Sequence, residues 1–300
     1  MAIVGERVRC FVAPSDESYR PPAFHGFPTT LPTVESDGLV TLKIRPHSLA
    51  KLEAVGRYCN AFARALKRRW ATTYVDLYAG PGVLELEGGK LTWGSPMIAL
   101  QCADPFNSLV LVEMQPQRAN VLLQRARRIA RRGEEVCIIQ GEAEKTLDDV
   151  LRRIPVGSVA LTLIDPFRLE FSLEAMATLA GSGKKMDLIL LFAEGMDLRR
   201  NLQNAIRSAP GSDRFDKVFG GPEWRDLVQP QNPPARNAVL LRKLYLDRLR
   251  RLGFDHLGRE VVVKNSSNVP VYLLMYATRN PLGVRLWDSC TKSSQLELFT

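Results

Sequence analysis

The chain has no CxxC, HxxxH or HExxH pattern, no internal repeat and no apolar run approaching the length of a bilayer. Its three histidines, His25, His47 and His256, are far apart in sequence, which excludes a histidine-based structural zinc site and predicts no metal. Cysteine is sparse: Cys10, Cys59, Cys102, Cys137 and Cys290 are scattered and odd in number. That usage predicts reduced thiols and a cytoplasmic protein. The N-terminus carries Glu6, Arg7 and Arg9 and lacks a secretory apolar core, and nothing predicts membrane insertion.

What the chain has in excess is positive charge. A net charge of +9 favours an anionic partner such as nucleic acid, or simply a soluble surface. The clusters Arg125, Arg127, Arg128, Arg131, Arg132 and Arg242, Lys243, Arg248, Arg250, Arg251, with Arg199-Arg200, supply much of it. In helices such groups form solvated faces or contact phosphates. The organisation predicted is an N-terminal extension over 1–45, rich in Pro, Ser and Thr, then one domain over 46–290, then a short tail over 291–300. Residues 205–237, with several prolines, read as an irregular insertion in that domain.

Apolar spacing at Leu52, Val55, Cys59, Phe62 and Leu66 predicts a first helix from Ser48 to Trp70. Strand-like runs follow at Thr73–Leu77, Leu109–Val112, Val136–Ile139, Val159–Ile164 and Leu188–Phe192, with helical patterns at Pro96–Cys102, Gln117–Arg131, Ala143–Ile154 and Leu173–Ala180 between them. These strands are continuously apolar, as strands covered on both faces must be, so they predict a parallel sheet. A further helix over Ala238–Leu252 precedes two strands, Glu260–Lys264 and Val271–Thr278, joined by Asn265-Ser266-Ser267-Asn268. So short a link forces an antiparallel hairpin. The fold class predicted is α/β, a doubly wound Rossmann-like sheet, mostly parallel with a C-terminal antiparallel hairpin.

Ligands of such sheets collect beyond the carboxyl ends of the strands. Those ends read Asp76 followed by Gly80 and Gly82, then Glu113, then Gln140-Gly141-Glu142, then Asp165-Pro166-Phe167, then Ala193-Glu194. The run Asp76-Leu77-Tyr78-Ala79-Gly80-Pro81-Gly82 resembles the first motif of S-adenosylmethionine-dependent methyltransferases. That resemblance implies S-adenosyl-L-methionine as cofactor, with Asp76, Tyr78, Ala79, Gly80 and Gly82 at its methionine part. Glu113 would accept the ribose hydroxyls and Glu142 the adenine amine. Asp165-Pro166-Phe167 resembles the Asp-Pro-Pro-Tyr motif of enzymes that methylate exocyclic amines: carboxylate and main-chain carbonyl hold the nitrogen, and the ring stacks on a flipped-out base. Here the second proline is absent, and Arg168 follows Phe167. His47 and Lys51, four residues apart, either edge the ligand pocket or serve only the helix terminus.

Several segments together resemble the three-Cys-motif partner protein family, a bacterial group with a class I methyltransferase-like fold. They are His47-Ser-Leu-Ala-Lys51 leading to Tyr58, the glycine motif, Gly94-Ser-Pro-Met-Ile-Ala-Leu100, Asp165-Pro-Phe167, Val271-Tyr-Leu-Leu-Met-Tyr-Ala277 and Asn280-Pro-Leu-Gly283. The resemblance implies a partner protein bearing a three-cysteine motif. Val83–Trp93 departs from a generic methyltransferase and reads as a lid or a surface loop, after which Ser95 is expected to cap the next helix. The functional expectation is a methyltransferase acting on nucleic acid, with a base amino group as the candidate acceptor; the alternative is a noncatalytic partner subunit that kept the fold and binds nucleic acid or protein. A nicotinamide oxidoreductase fits poorly, because Glu85 stands where the third glycine of that fingerprint belongs.

Overall fold

Every side chain of the segment Thr72–Asp76 is buried, and so is every side chain of Ser108–Glu113 four elements later. Strands buried on both faces have helices above and below them, and these two lie in the middle of the molecule. The computed structural model describes residues 7–13, 31–131, 133–209, 213–229 and 231–292. In chain order the described strands are β1 (Val8–Val12), β2 (Thr33–Val34), β3 (Leu42–Lys43), β4 (Thr72–Asp76), β5 (Val83–Glu85), β6 (Leu91–Trp93), β7 (Ser108–Glu113), β8 (Glu135–Gln140), β9 (Val159–Ile164), β10 (Lys185–Phe192), β11 (His256–Leu257), β12 (Val261–Lys264) and β13 (Pro270–Thr278). The helices are α1 (Ser48–Leu66), α2 (Ser95–Leu100), α3 (Pro116–Ile129), α4 (Leu147–Arg153), α5 (Leu173–Gly181), α6 (Arg199–Arg207), α7 (Arg214–Phe219), α8 (Trp224–Leu227), α9 (Pro234–Arg251) and α10 (Pro281–Thr291).

The main sheet runs β1-β8-β7-β4-β9-β10-β13-β11, with β12 also paired to β13. From β8 to β10 all pairings are parallel; β13 is antiparallel to β10 and to both β11 and β12. The fold is therefore α/β with a doubly wound, Rossmann-like sheet closed by an antiparallel hairpin, the methyltransferase-like arrangement. Strand order reverses between β4 and β9, which places the crevice of such a sheet at their carboxyl ends. At the hairpin, Asn265 Oδ1 accepts the amides of Ser267 and Val269, each at 3.0 Å, and Asn268 takes the left-handed conformation at φ 59°. The interior beneath β13 holds one polar chain: Tyr58 donates to Tyr276 at 2.5 Å, Tyr276 donates to Asp187 at 2.6 Å, and Thr278 also donates to Asp187. Trp287 stacks on Tyr276 and covers it.

Several expectations are corrected or extended. Cys10 and Cys137 form a disulfide; they are not both reduced thiols. β1 runs antiparallel to β8 with Cys10 directly opposite Cys137, a register that their separation of 127 residues in sequence hides. The N-terminal segment supplies β1 to the sheet edge and β2 and β3 to a second, four-stranded sheet. Val83–Trp93 completes that second sheet: β5 and β6 form a hairpin, with β3 on one side and β2 on the other. Part of the stretch 205–237 is helical too, as α7 and α8, and α10 adds a helix the apolar pattern did not announce. His25 lies outside the described residues. No helix among the described residues is long and apolar enough to cross a membrane.

Candidate functional site

β7, β4 and β9 are neighbours in the sheet, and their carboxyl ends carry Glu113, Asp76 and Asp165. The register sets Asp76 level with Leu111 and Leu163, so Glu113 and Asp165 stand two residues further out on the strands that flank it, on the same rim of the sheet. Between them the chain turns through Leu77 to Gly82, tied to both flanking strands: the Leu77 amide donates to the Leu163 carbonyl at 3.1 Å, and the Ala79 amide to the Val112 carbonyl at 2.9 Å. Gly80 (φ +65°) and Gly82 (φ +87°) take the left-handed conformation the turn demands. Among the described residues, a Cβ at Gly80 would meet only Leu42, at 3.9 Å, which leaves that face of the turn open to an approaching ligand.

Gly82 is the opposite case. A Cβ there would sit 3.2 Å from Met97 and 3.3 Å from Leu122, both in the core. Gly82→Ala is therefore expected to lose roughly 2–4 kcal/mol, from left-handed strain plus overpacking. Gly88→Ala, at φ +90° with nothing within 4 Å, carries the backbone cost alone, about 1 kcal/mol. Urea denaturation of the two variants side by side checks the difference; equal losses would mean that the Gly82 contact is slack.

Asp76 is fully buried and holds the turn from behind. Its Oδ1 accepts the Tyr78 amide at 3.1 Å, and its Oδ2 accepts the hydroxyls of Ser95 at 2.6 Å and Tyr74 at 3.1 Å. Ser95 thus serves Asp76, and Gly94, not Ser95, is the capping residue of α2. Burial pushes the Asp76 carboxyl up to about 6, against the pull of these donors. Glu113 accepts the Gln115 amide at 2.7 Å, and the Gly80 amide also faces its carboxylate. Burial raises Glu113 as well. Beside it the Met114 side chain stands 58% exposed. Tyr78 is half-buried; burial, with the Glu170 and Glu144 carboxylates nearby, holds its phenol well above the usual range.

On the other side of Asp76, Asp165 is bonded through Oδ2 to Lys51 of α1. Their side chains keep 14% (Lys51) and 17% (Asp165) exposure, enough to be reached from outside. Burial pulls the Lys51 ammonium down, but Asp165, with Tyr272 and Asp76 nearby, more than offsets this, so Lys51 sits above its ordinary value. Burial also lifts Asp165 above the usual carboxylate range, opposed by Lys51. Lys51 Nζ lies 5.9 Å from the centre of the Tyr272 ring, and the His47 ring packs edge-on to the same tyrosine at 5.7 Å. His47 is held below its ordinary value by burial and by the charges of Lys51 and Arg45. Pro166 is buried, whereas Phe167 presents a ring that is 63% exposed.

Asp76, Asp165 and Lys51 are thus brought together, with Glu113 reached through Gly80. Glu142 follows Gly141, whose amide donates to the Glu113 carbonyl at 3.1 Å; its own side chain is exposed and pairs with Lys145 at 2.8 Å. Glu194, at the end of β10, is buried and bonded to Arg199 and, at 3.2 Å, to Arg242. Two residues of the site were missed. Of the two sequence readings of Lys51 the pocket edge holds, but its bond to Asp165 has no signal in the sequence. Arg125 sits among clustered arginines in the sequence, yet it is 2% exposed and its Nη1 donates to the Pro81 carbonyl at 2.7 Å. Its spacing from Leu122 and Ile129 on α3 places it on the apolar face, and that spacing was the available signal. Among the described residues, no group of three or more His, Cys, Asp or Glu is disposed to hold a metal ion.

No known protein family matches the chain, and no curated protein does. Several solved structures align with the chain. One is a Legionella pneumophila protein assigned to DUF519, 12% identical, with 80% of this chain and 91% of that one aligned at a TM-score of 0.49. Trm1 from Pyrococcus horikoshii, solved with S-adenosyl-L-methionine, is 10% identical over 87% of this chain, at a TM-score of 0.44. The alignment spans 64% of Trm1, just under two thirds of its length. An O-methyltransferase from Bacillus cereus in complex with SAH is 10% identical over 80% of this chain and 84% of that one, at a TM-score of 0.44. Identities this low carry nothing about substrate, and the fold is defined by the strand order itself.

Proposed function

We propose that this chain is an S-adenosyl-L-methionine-dependent methyltransferase acting on nucleic acid, working beside a protein with a three-cysteine motif. The observation that carries the reading is the rim itself: a left-handed glycine turn, open at Gly80, whose amide faces Glu113 on one side while Asp76 and Asp165 follow on the next two strands. The cofactor would supply an activated methyl group on a sulfonium. The residues present suit it. Glu113 offers a carboxylate to ribose hydroxyls, and Met114 an exposed apolar side chain to a purine face. Tyr78, Ala79, Gly80 and Gly82 shape the place of the methionine part, with the buried charge of Asp76 behind them. Glu142 would reach the adenine amine only by leaving Lys145. Positioning and exclusion of water supply most of the rate in such a transfer, so Asp165, Pro166 and Phe167 need only hold the acceptor. The net charge of +9 and the exposed Phe167 ring support a nucleic-acid acceptor.

Calorimetry with S-adenosyl-L-methionine tests the cofactor, and incubation with a labelled methyl donor and separate pools of DNA, RNA and protein tests the acceptor. Binding in the micromolar range with label in nucleic acid is expected. Asp165→Asn is expected to keep cofactor affinity and to lose transfer by about 100-fold or more. A protein that binds no cofactor would instead be a noncatalytic partner subunit, a reading that the neutralisation of Asp165 by Lys51 favours.

A further inference from the structure

Lys51 changes which acceptor Asp165 suits. An exocyclic amine brings two N–H protons and a single lone pair, which must point at the methyl carbon. It needs two hydrogen-bond acceptors and no competing donor beside the nitrogen. The structure sets a competing donor, Lys51, against the carboxylate. Asp165 Oδ2 is occupied by Lys51, and Oδ1 has no hydrogen bond among the described residues. The lysine ammonium is a donor only, and it would claim the lone pair an amine has to use for attack. A hydroxyl brings one proton and two lone pairs: the proton suits Oδ1, one lone pair suits Lys51 Nζ, and the other is left for the methyl carbon.

We propose that the methyl acceptor is a hydroxyl oxygen held between Lys51 Nζ and Asp165 Oδ1, and that this hydroxyl is a ribose 2′-hydroxyl of RNA. The proposal rests on the methyltransferase reading above and names its acceptor. In the step, the hydroxyl oxygen bonds to the methyl carbon while the bond from that carbon to the sulfonium sulfur breaks, sulfur keeping the electron pair. The hydroxyl proton passes to Asp165 Oδ1. Lys51 remains an ammonium and stabilises the negative charge that develops on oxygen as the proton leaves. Its setting favours that charge state, since Asp165 and the Tyr272 ring both lie against it. Phe167, two residues beyond Asp165 and largely exposed, offers a ring on which the base of that nucleotide can stack.

The test uses the full chain with labelled S-adenosyl-L-methionine and RNA, followed by digestion to nucleosides. Label in 2′-O-methylribonucleosides is expected; label in a base amino group, or in DNA, overturns the hydroxyl assignment and leaves the methyltransferase reading standing. Failure to bind the cofactor in calorimetry removes that reading, and this proposal with it. A readout without turnover is the binding of a single-stranded oligoribonucleotide and its fully 2′-O-methylated counterpart, compared by anisotropy in the absence of cofactor. The unmodified strand is expected to bind about tenfold more tightly; equal binding overturns the proposal. Lys51→Arg keeps the ion pair and the charge, but its planar fork binds both carboxylate oxygens and takes up Oδ1. It is expected to retain cofactor affinity and lose transfer by roughly 100-fold, and transfer at the wild-type rate overturns the proposal.

Discussion

Replacing Asp76 with Asn is expected to make the protein more stable above pH 6 and poorer at binding its cofactor. The Asp76 carboxyl is fully buried, and burial raises it from 3.8 to about 6. A rise of that size corresponds to roughly 3 kcal/mol of free energy that opposes the charged form in the folded protein. The sign follows from the direction of the shift. The contribution of Asp76 is fully present below pH 3.8, where the group is neutral folded or unfolded, and it is lost as pH rises through about 6. Asn removes that loss. It also keeps the hydrogen bonds in outline, since its oxygen can accept the Tyr78 amide while the hydroxyls of Ser95 and Tyr74 rotate to accept from its amide nitrogen. Urea denaturation at pH 4 and pH 8 separates the cases: the two proteins should match at the lower pH and diverge by up to about 3 kcal/mol at the higher. A variant no more stable than wild type at pH 8 would mean that Asp76 is solvated in the folded state. The same variant is expected to bind S-adenosyl-L-methionine at least about tenfold more weakly, because a buried negative charge beside a cationic ligand acts through a poorly screening interior. Stability gained at the expense of binding is the usual mark of a charge retained for function.

The core of this arrangement was legible in the sequence because its strands report their own burial. β7, β8, β9 and β10 are continuous apolar runs, and only a strand covered on both faces can be so. The acids that end them were legible for the same reason, as the first polar residues after such runs. What was not legible depends on a partner distant in sequence. β2 and β3 are two residues each and carry no period of their own; they are strands because β6 and β5 lie beside them. Cys10 meets Cys137 only through the antiparallel register of β1 on β8. Lys51 was noticed on its helix face, but Asp165 lies 114 residues further on, and nothing local announces the pair. Ser95 had the look of a capping residue, a role given up because the buried Asp76 offered its hydroxyl a charged acceptor.

Arg125→Met should lower stability by roughly 3–5 kcal/mol and weaken cofactor binding with it, although Arg125 reaches no position a ligand would occupy. Its guanidinium is spread over one bidentate ion pair and three carbonyls: Asp37 at 2.7 and 2.8 Å, Pro81 at 2.7 Å, Val40 at 2.9 Å and Leu39 at 3.3 Å. Two pieces of chain thereby hang on one side chain, the loop over residues 37–40 and the glycine turn at its proline. Removing the guanidinium leaves those carbonyls short of a donor in a dry place, and burial of an unmatched acceptor is what makes such losses large. The pH dependence provides an independent check. The Arg125 side chain holds Asp37 down at about 2, so the pair stabilises the fold fully above pH 3.8 and loses that contribution as pH falls through about 2. Wild type should therefore lose roughly 1–2 kcal/mol of stability on that account between pH 4 and pH 2, solvent screening of the partly exposed Asp37 keeping it toward the lower figure, and Arg125→Met should not. Arg125→Lys sharpens the point, because an ammonium cannot serve Asp37 and the Pro81 carbonyl from a single plane. It should recover part of the stability while leaving the turn loose, so that cofactor affinity stays low after most of the fold has been restored. Full recovery of affinity in Arg125→Lys would mean that the turn is held by its strand contacts alone, through the Leu77 and Ala79 amides.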